Sequence, residues 1–405
     1  MSPRERHGPL DGLRVIDMSG MISGGFATCM LGDFGADVVM IEHPEMPDPI
    51  REWPRKTPDG TSLAWKSLGR NKRCITLDLS SDRGQELALD LISDADVVFE
   101  NFRPGTMERW GLGPDAIHEV NDAAIMVRLS GYGQTGPKSE KPGFGTIAEG
   151  ISGWAHANGF PDREPLLPSI SLADLTAAQF AVQATLMAIF DRDVGRGGSG
   201  EGQVIDVSLT EPLWRLFFGD AEAYDYEGHV RERTGNRHPS TAPRNIYETK
   251  DGYMTMSASN QKIFERVAHA IDKPELIDDP RFADNATRVE NVEALDAEIE
   301  AWTRQHTTEE AIDILEASDA IVGPVYDMAD IFADEQYQAR DALVEVDDPD
   351  VGAVRTFAPI PRFSNTPGEV EFLGPGHGEH NEEVFCMELG LSEAEVDRLE
   401  RNGTI

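Results

Sequence analysis

The sequence contains little cysteine, and the arrangement of its cysteines excludes common stabilising devices. Its three cysteines, Cys29, Cys74 and Cys386, lie far apart and form no C-x-x-C pair. Structural disulfides need paired cysteines, and zinc sites usually need closely spaced ligands. An H-x-x-H pattern at residues 377–380 lies in a glycine-rich stretch without the spacing of a helical zinc pair. We therefore expect neither a disulfide nor a metal site.

Long apolar runs and positive charge are also scarce. No apolar run reaches the roughly 18 residues that a membrane-spanning helix needs. Residues 1–9 are polar and lack the apolar segment of a secretory signal. The chain has 36 basic residues against 73 acidic ones, which disfavours binding to nucleic acid phosphates. We expect a cytoplasmic protein that binds neither membranes nor nucleic acid.

The excess of acidic residues is large for a globular protein. A net charge of −37 accompanies 40% hydrophobic residues in 405 positions, enough for two domains with real cores. The acidic side chains repel one another unless salt screens their charges. The composition indicates a halophilic protein, and an ordinary acidic cytosolic protein is the alternative.

Apolar segments alternate with helical patterns through the first 130 residues. Strands are predicted at residues 13–18, 36–42, 74–79, 96–100 and 123–129, with helices at 24–34 and 83–93. Such strands joined by helices indicate a parallel sheet buried on both faces. A helix at 176–189 and a strand at 203–207 follow, and residues 382–401 have a helical pattern. The pattern changes after about residue 225. We predict an α/β fold with a large domain at 1–220 and 330–405, and a smaller one at 225–325.

The first strand leads into a turn at residues 17–25 that opens a helix, a place where backbone N–H groups favour anions. Glu42 ends the next strand as a ribose-binding acid would. However, this turn lacks G-x-G-x-x-G, and the chain has no G-x-x-x-x-G-K-[ST] loop or G-x-S-x-G elbow. An NAD enzyme and a serine hydrolase are disfavoured. The turn is expected to line a nucleotide-like ligand, with a purely packing role as the alternative.

Two cationic segments are candidates for binding phosphates. Residues 66–73 carry four cations, and no acid lies between Asp59 and Asp78. Residues 100–109 follow a strand, at the edge where open α/β sheets bind ligands. There Arg103 and Arg109 could hold phosphates and Phe102 could contact an adenine. The alternatives are ion pairs with the acidic surface for the first segment and an ordinary turn for the second.

Asp174 is the strongest candidate for covalent chemistry. A glycine-rich turn at residues 131–137 follows an apolar strand, and Asp174 lies about 40 residues later at the start of a helix of small residues. A carboxylate in such a place can act as a nucleophile. The alternative is that Asp174, or Ser171 before it, only caps the helix.

Segments along nearly the whole chain resemble family III CoA-transferases, the group that includes formyl-CoA and carnitine CoA-transferases. The matching segments are residues 10–17, 31–39, 71–79, 100–105, 242–244, 251–253 and 388–392. The resemblance implies a Rossmann-like large domain built from both chain ends, a small α+β domain, and two ring-like chains interlocked as a homodimer.

The resemblance also assigns roles to particular residues. It places the catalytic aspartate on Asp174. It places CoA-binding positions on Ile22, Ser23, His43, Leu77, Asp78, Leu79, Ser80, Asn101, Phe102, Arg103, Arg109, Lys141 and Phe144. CoA is then a substrate, and no permanently bound cofactor or metal is implied. Ile22 stands where the formyl enzyme has Gln, and His43 where it has Arg. The multi-glycine lid of the formyl enzyme is not evident at residues 234–238, so formyl or oxalyl specificity is disfavoured.

The implied activity is the transfer of CoA between an acyl-CoA and a small carboxylic acid through intermediates on Asp174. We expect succinyl-CoA as donor and mesaconate, or a similar C4–C5 acid such as malate, as acceptor. Arg237, His238 and Arg244 could bind the distal carboxylate. Two alternatives are an isomerase like α-methylacyl-CoA racemase and a CoA-binding protein without activity. The racemase pairs its aspartate with a His, whereas Phe144 stands there in this chain and cannot accept a proton.

Overall fold

A computed structural model of the chain describes residues 8–405. The polar stretch 1–9, from which the absence of a secretory signal is predicted, therefore lies almost entirely outside the described residues. The chain forms two compact units. The first comprises the residues up to Trp154 together with Pro168–Ala221 and Ala339–Ile405, and the second comprises Ala155–Leu167 and Glu222–Gln338.

Eleven strands form three sheets within the described residues. The strands are β1 Arg14–Asp17, β2 Asp37–Glu42, β3 Lys72–Thr76, β4 Val97–Glu100, β5 Ile125–Ser130, β6 Val204–Ser208, β7 Arg244–Glu248, β8 Tyr253–Ser257, β9 Val322–Pro324, β10 Leu343–Asp348 and β11 Gly352–Phe357.

Helices connect and cover these strands. The α-helices are α1 Met21–Asp33, α2 Leu63–Leu68, α3 Asp82–Ile92, α4 Thr106–Arg109, α5 Pro114–Val120, α6 Gly145–Ile151, α7 Trp154–Ala157, α8 Leu172–Asp193, α9 Glu211–Arg215, α10 Asp220–Glu227, α11 Gln261–Ala270, α12 Glu275–Asp278, α13 Asn285–Glu290, α14 Val292–Thr303, α15 Thr308–Glu316, α16 Met328–Ala333, α17 Glu335–Ala339 and α18 Glu393–Arg401. Short 3₁₀ turns at Pro49–Glu52 and Gly195–Gly197 and a π-helical turn at Glu382–Glu388 complete the set.

The first unit is built on a six-stranded sheet in the order β3-β2-β1-β4-β5-β6. Every neighbouring pair is parallel, and Ile16 at the centre pairs with Val39 on one side and Val98 on the other. This is the strand order of the Rossmann fold. Successive strands are added on one side of β1 up to β3, and then on the other side from β4 onward, so the strand order reverses between β1 and β4. The predicted α/β class with a parallel sheet is confirmed.

Apolar residues cover both faces of this sheet, as parallel sheets require. One face packs on α3, α5 and the C-terminal helix, with Leu91, Ile117 and Leu399 in the core. The other face packs on α1 and α8. α8 is long and apolar enough by composition to cross a membrane. Its alanines Ala177 and Ala181, however, are buried between α8 and the large sheet. The small apolar side chains of α8 therefore allow the helix to pack closely on the sheet.

The helix predicted at residues 382–401 is interrupted in the structure. The π-helical turn ends at Glu388, and α18 begins at Glu393. Gly390 between them has φ +71°, a conformation that side chains disfavour and that commonly terminates helices. Ser392 then caps α18 by accepting a hydrogen bond from the Glu395 N–H.

The second unit pairs an antiparallel three-stranded sheet, β7-β8-β9, with helices on one face. Tyr247 and Met254 point into a core that includes Phe264 and Leu295. Alternate residues on the same strands, such as Thr255 and Ser257, are exposed on the opposite face. This alternation is usual for an antiparallel sheet with one open face.

Candidate active site

The turns after β1 and β4 meet at the point where the strand order of the sheet reverses. The Gly20 N–H donates to Asn101 Oδ1 at 3.0 Å, and Asn101 Nδ2 donates to the Gly20 carbonyl at 2.6 Å. Ligands of open α/β sheets bind in the crevice that this reversal opens at the carboxyl ends of the strands. Asn101 therefore shapes one end of such a crevice.

A cavity of about 350 Å³ lies at this edge of the sheet. It is bordered by the ends of β1, β2 and β3 and by the turn after β4. Its lining includes His43, Leu77, Asp78, Leu79, Ser80 and Phe102. These are six of the predicted CoA-binding residues. Trp110, which the sequence analysis missed, also lines it and packs edge-on to Phe102 at 5.0 Å between ring centroids. The aromatic pair offers an apolar surface for a planar ring.

The other predicted CoA-binding residues do not line this cavity. Ile22 packs beside the buried cluster that contains Trp65, and Ser23 is buried within α1. Lys141 and Phe144 are exposed just before α6. Arg103 is exposed on the turn after β4 and Arg109 is exposed at the end of α4, and within residues 8–405 neither forms an ion pair. Their guanidinium groups are thus not neutralised by the protein's many acids.

The cations of residues 66–73 form internal ion pairs. Lys66 pairs with Asp348 at 2.9 Å, Arg70 with Asp33 at 2.5 Å and Lys72 with Asp17 at 3.2 Å. Arg73 likewise pairs with Asp37 and Glu388. All four cations are buried. The interpretation of this segment as a phosphate site is therefore wrong, because its charges are already used inside the fold. Glu42 is similarly engaged, since it accepts two hydrogen bonds from Arg51.

Asp174 lies in the first turn of α8, directly against α6. A Cβ atom placed on Gly145 would lie 2.0 Å from Asp174 Oδ2, so the carboxylate occupies the space of the missing side chain. Ser171 is at the N-cap position but its side chain makes no capping hydrogen bond. Capping alone therefore does not account for the position of the Asp174 carboxylate.

The environment of Asp174 makes its carboxylate more basic than an ordinary one. Burial and, to a smaller extent, the nearby negative charge of Glu149 together raise the pKa of Asp174 to about 6, against a smaller lowering effect of a backbone hydrogen bond. Perturbed carboxyl groups of this kind are concentrated at reactive sites. At neutral pH the carboxylate is ionised and available as a nucleophile.

Two glycine-rich segments converge near Asp174. Gly131 begins the turn after β5, and a Cβ atom there would lie 2.7 Å from the Gly143 Cα. Gly143 precedes Gly145, which contacts Asp174. The glycine turn and the acid singled out in the sequence are thus connected through the segment before α6. The sequence analysis assigned no role to Gly145 or Glu149. The sequence feature that could have indicated them is an acid four residues after a glycine in a short apolar helix, because residues four apart lie on one face of a helix.

The three residues proposed for a distal carboxylate differ in their surroundings within the second unit. Arg237 donates to the buried Asp296 at 2.7 Å, and His238 Nδ1 accepts from the Ser240 N–H. Arg244 instead lines a cavity of about 470 Å³ together with Thr255 and Ser257. Among residues 8–405, no acid pairs with its guanidinium. Arg244 is therefore the cation of the three that is available to a ligand.

The described residues contain no cluster of three or more His, Cys, Asp or Glu side chains able to hold a metal.

Comparison with known proteins agrees with this geometry. The family model of CoA-transferase family III matches residues 10–381. Succinyl-CoA–D-citramalate CoA-transferase of Chloroflexus aurantiacus is 41% identical over 406 residues, covering 100% of both chains. The beta subunit of succinyl-CoA–L-malate CoA-transferase from the same organism is 37% identical and covers 96% of both. A CAIB/BAIF family protein from Brucella suis superposes with a TM-score of 0.83 at 31% identity, over 94% of this chain and 100% of that chain.

These matches place a protein built on a parallel sheet among the CoA-transferases. The chain belongs to CoA-transferase family III.

The contact between Gly145 and Asp174 gives a matched test. Gly145→Ala should displace the carboxylate and lower kcat about 100-fold, because misplacement of a reacting group by about 1 Å has effects of that size. Stability should not fall, since alanine favours helices over glycine by up to about 1 kcal/mol. Gly150→Ala on the same helix is the control, because its Cβ meets nothing within 4 Å. Equal turnover in the two variants would contradict the assigned contact.

Proposed function

We propose that this protein transfers CoA from succinyl-CoA to a C4–C5 dicarboxylic acid, with Asp174 as the nucleophile. The observation that carries the proposal is the half-buried Asp174 carboxylate of raised pKa on the first turn of α8, held against the bare backbone of Gly145. A carboxylate removed from water keeps its nucleophilic power, and an anhydride formed there is protected from hydrolysis.

In each step of the proposed reaction, one bond to an acyl carbon forms and another breaks. The Asp174 carboxylate attacks the thioester carbonyl, the C–S bond breaks, and CoA leaves as thiolate. The thiolate attacks the aspartyl carbonyl of the mixed anhydride, which releases the donor acid and leaves an aspartyl-CoA thioester. The acceptor carboxylate then attacks the aspartyl carbonyl of this thioester, which forms a second mixed anhydride and releases the CoA thiolate. The thiolate attacks the acceptor's acyl carbon in that anhydride, which gives the acceptor's CoA thioester and frees the Asp174 carboxylate. Backbone N–H groups of the glycine segments at 131–136 and 143–145 are the donors we assign to the oxyanions.

CoA itself is bound, in this proposal, along the carboxyl edge of the large sheet. The cavity beside His43 and Phe102 takes the adenine nucleotide, and Arg103 and Arg109 pair with phosphates. Ile22, Ser23, Lys141 and Phe144 remain proposed contacts for the rest of the molecule. A racemase-like isomerase is disfavoured, because Phe144 stands at the position of the racemase's His and cannot take its part in proton transfer.

The acceptor is proposed to carry a second carboxylate. Relatives with 37–41% identity bear names with citramalate and malate as acceptors and succinyl-CoA as donor, which extends the mesaconate expectation to hydroxylated acids of the same size. Arg244 has the free charge that a distal carboxylate needs. Arg237 and His238 are then assigned to holding the neighbouring loop, with Arg237 anchored on Asp296.

Two further proposals concern the setting of the enzyme. We propose a homodimer of interlocked chains in a cytoplasm rich in salt. The dimer rests on the family resemblance, and the salt on the net charge of −37.

Asp174→Ala should abolish transfer, with a loss of more than about 100-fold, corresponding to about 2.7 kcal/mol. CoA affinity should change only slightly, since the phosphates bind elsewhere. Incubation of the wild type with acyl-CoA alone should leave an adduct that hydroxylamine converts to a hydroxamate at Asp174, identified by peptide mass mapping. An adduct at another residue, or none after rapid quenching, would count against the covalent mechanism.

Arg109→Ala should raise the KM for acyl-CoA about 10- to 100-fold, because each lost hydrogen bond to a charged group costs about 1.5–3 kcal/mol. The KM for the free acid should stay nearly unchanged, since the acid carries no phosphate. Steady-state kinetics with each substrate varied in turn measure both values. Arg401→Ala, an exposed arginine on α18, serves as the control. Weakened binding of the acid alone would remove Arg109 from the CoA site.

Arg244→Gln should raise the KM for dicarboxylic acceptors about 10- to 100-fold and leave monocarboxylic acids of similar length unaffected, because only the distal charge is lost. Arg237→Gln should instead lower the melting temperature, since it leaves the buried Asp296 without its cation. Measuring both acceptor classes and thermal unfolding for both variants separates the roles. The reverse pattern would reassign the carboxylate to Arg237.

The melting temperature should rise steeply with salt. Screening lengths fall from about 30 Å at 0.01 M to about 3 Å at 1 M, so repulsion among the 73 acids is largely removed in molar KCl. Differential scanning fluorimetry across this range measures the effect. Equal melting temperatures at both ends would argue for an ordinary acidic protein.

A further inference from the structure

Glu149 is a buried carboxylate to which the proposed mechanism gives no part. It lies on α6 with 3% of its surface exposed. Within residues 8–405 it forms no ion pair, and its side chain accepts one hydrogen bond, from the Ala173 N–H at 3.4 Å. Removing a carboxylate from water without a cation is costly, so its place beside a reactive aspartate calls for a functional explanation.

α6 contacts the first turn of α8 at two points. Gly145 provides the space that the Asp174 carboxylate fills, and Glu149, one helical turn later, binds the Ala173 N–H next to Asp174. Residues four apart lie on one face of a helix. A single face of α6 therefore fixes the position of the nucleophile and places a second carboxylate close to it.

The other charged groups on elements packed against α8 are already engaged. Asp33 on α1 pairs with Arg70, and Arg128 on β5 pairs with Glu100. Asp206 on β6 accepts from the Gln134 N–H. On α9, Glu211 accepts from Ser208 Oγ, while Arg215 is exposed. Glu149, in contrast, contributes a negative charge that raises the pKa of Asp174.

We propose that Glu149 is a positioning residue for acyl transfer: it anchors the first turn of α8 and places a negative charge beside Asp174 that favours the first chemical step. This inference rests on the proposed function. In that step the Asp174 oxygen bonds to the thioester carbon, the C–S bond breaks, and the electron pair leaves on the CoA sulfur. Negative charge thus moves away from Asp174, and the repulsion from Glu149 is relieved as the anhydride forms.

The negative charge of Glu149 should have opposite effects on the rate of the first chemical step at low and at high pH. The pKa of Asp174 is about 6, so below that pH most of the nucleophile is protonated and inactive. Without the Glu149 charge the pKa falls, and more of the nucleophile is ionised at pH 5. Above pH 7 Asp174 is ionised in either case, and the less basic carboxylate is the weaker nucleophile.

Glu149→Gln isolates the charge, because its amide oxygen can still accept from the Ala173 N–H. Thiol release from succinyl-CoA without acceptor should be followed by rapid quench between pH 4.5 and 8.5. We expect the variant to be about two- to fivefold faster than wild type at pH 5, as a lowered midpoint requires, and slower above pH 7. Glu119→Gln, exposed on α5, should match the wild type. A uniform loss at every pH, or an unchanged profile, overturns the proposal.

A measurement without substrate separates this inference from the proposed function. Carbodiimides modify protonated carboxyl groups, so labelling of Asp174, normalised to the exposed Asp397 and mapped by mass spectrometry, reports its protonation. The half-point should lie at lower pH in Glu149→Gln than in the wild type. Identical half-points overturn the role of Glu149 even if transfer occurs. Failure of the wild type to release thiol refutes the proposed function, and the labelling then still decides whether Glu149 acts on Asp174.

Discussion

All six strands of the large sheet run parallel, so their carboxyl ends share one edge, and the placement of the site depends on this constraint. The order of the strands brings the turn after β1 against the turn after β4, where Gly20 and Asn101 exchange hydrogen bonds. The ends of β2 and β3 complete the cavity beside them. The turn after β5 contacts the segment that leads to Gly145 and Asp174. Residues such as Gly20 and Asn101, which are 81 positions apart, therefore meet at one edge of the sheet.

The balance of charge inside the first unit explains how a chain of net charge −37 keeps a dense core. Some of its cations are buried and paired, as Lys72 is with Asp17 and Arg70 with Asp33. Breaking such a pair leaves an uncompensated buried charge. Cations without acidic partners are consequently informative here, and Arg103, Arg109 and Arg244 are three of them.

The surroundings of Asp174, the nucleophile that we propose, set its basicity and position. Burial and a neighbouring carboxylate make Asp174 more basic than an ordinary aspartate, yet leave it ionised at neutral pH. A bare backbone position at Gly145 lets the carboxylate lie against α6. The packing of α6 against the first turn of α8 thus contributes to both the basicity and the position of this carboxylate.

Much of this could be read from the sequence. Apolar runs of strand length separated by helical patterns determined the parallel α/β fold, because only a sheet covered on both faces buries such strands. The family resemblance pointed to Asp174 and to the lining of the cavity. The boundaries of the C-terminal helix were less predictable, since a single glycine at residue 390 interrupts a helical pattern.

The environments of the charged residues were decided only by the tertiary structure. Lys66 and Asp348 are 282 positions apart. No local sequence pattern predicts that they form an ion pair. Glu149 becomes notable only when α6 lies against α8, and Arg244 differs from Arg237 only because Asp296 reaches one and not the other. Local propensity fixes which residues form a helix or strand, whereas solvent exposure and electrostatic partners depend on distant segments brought together by folding.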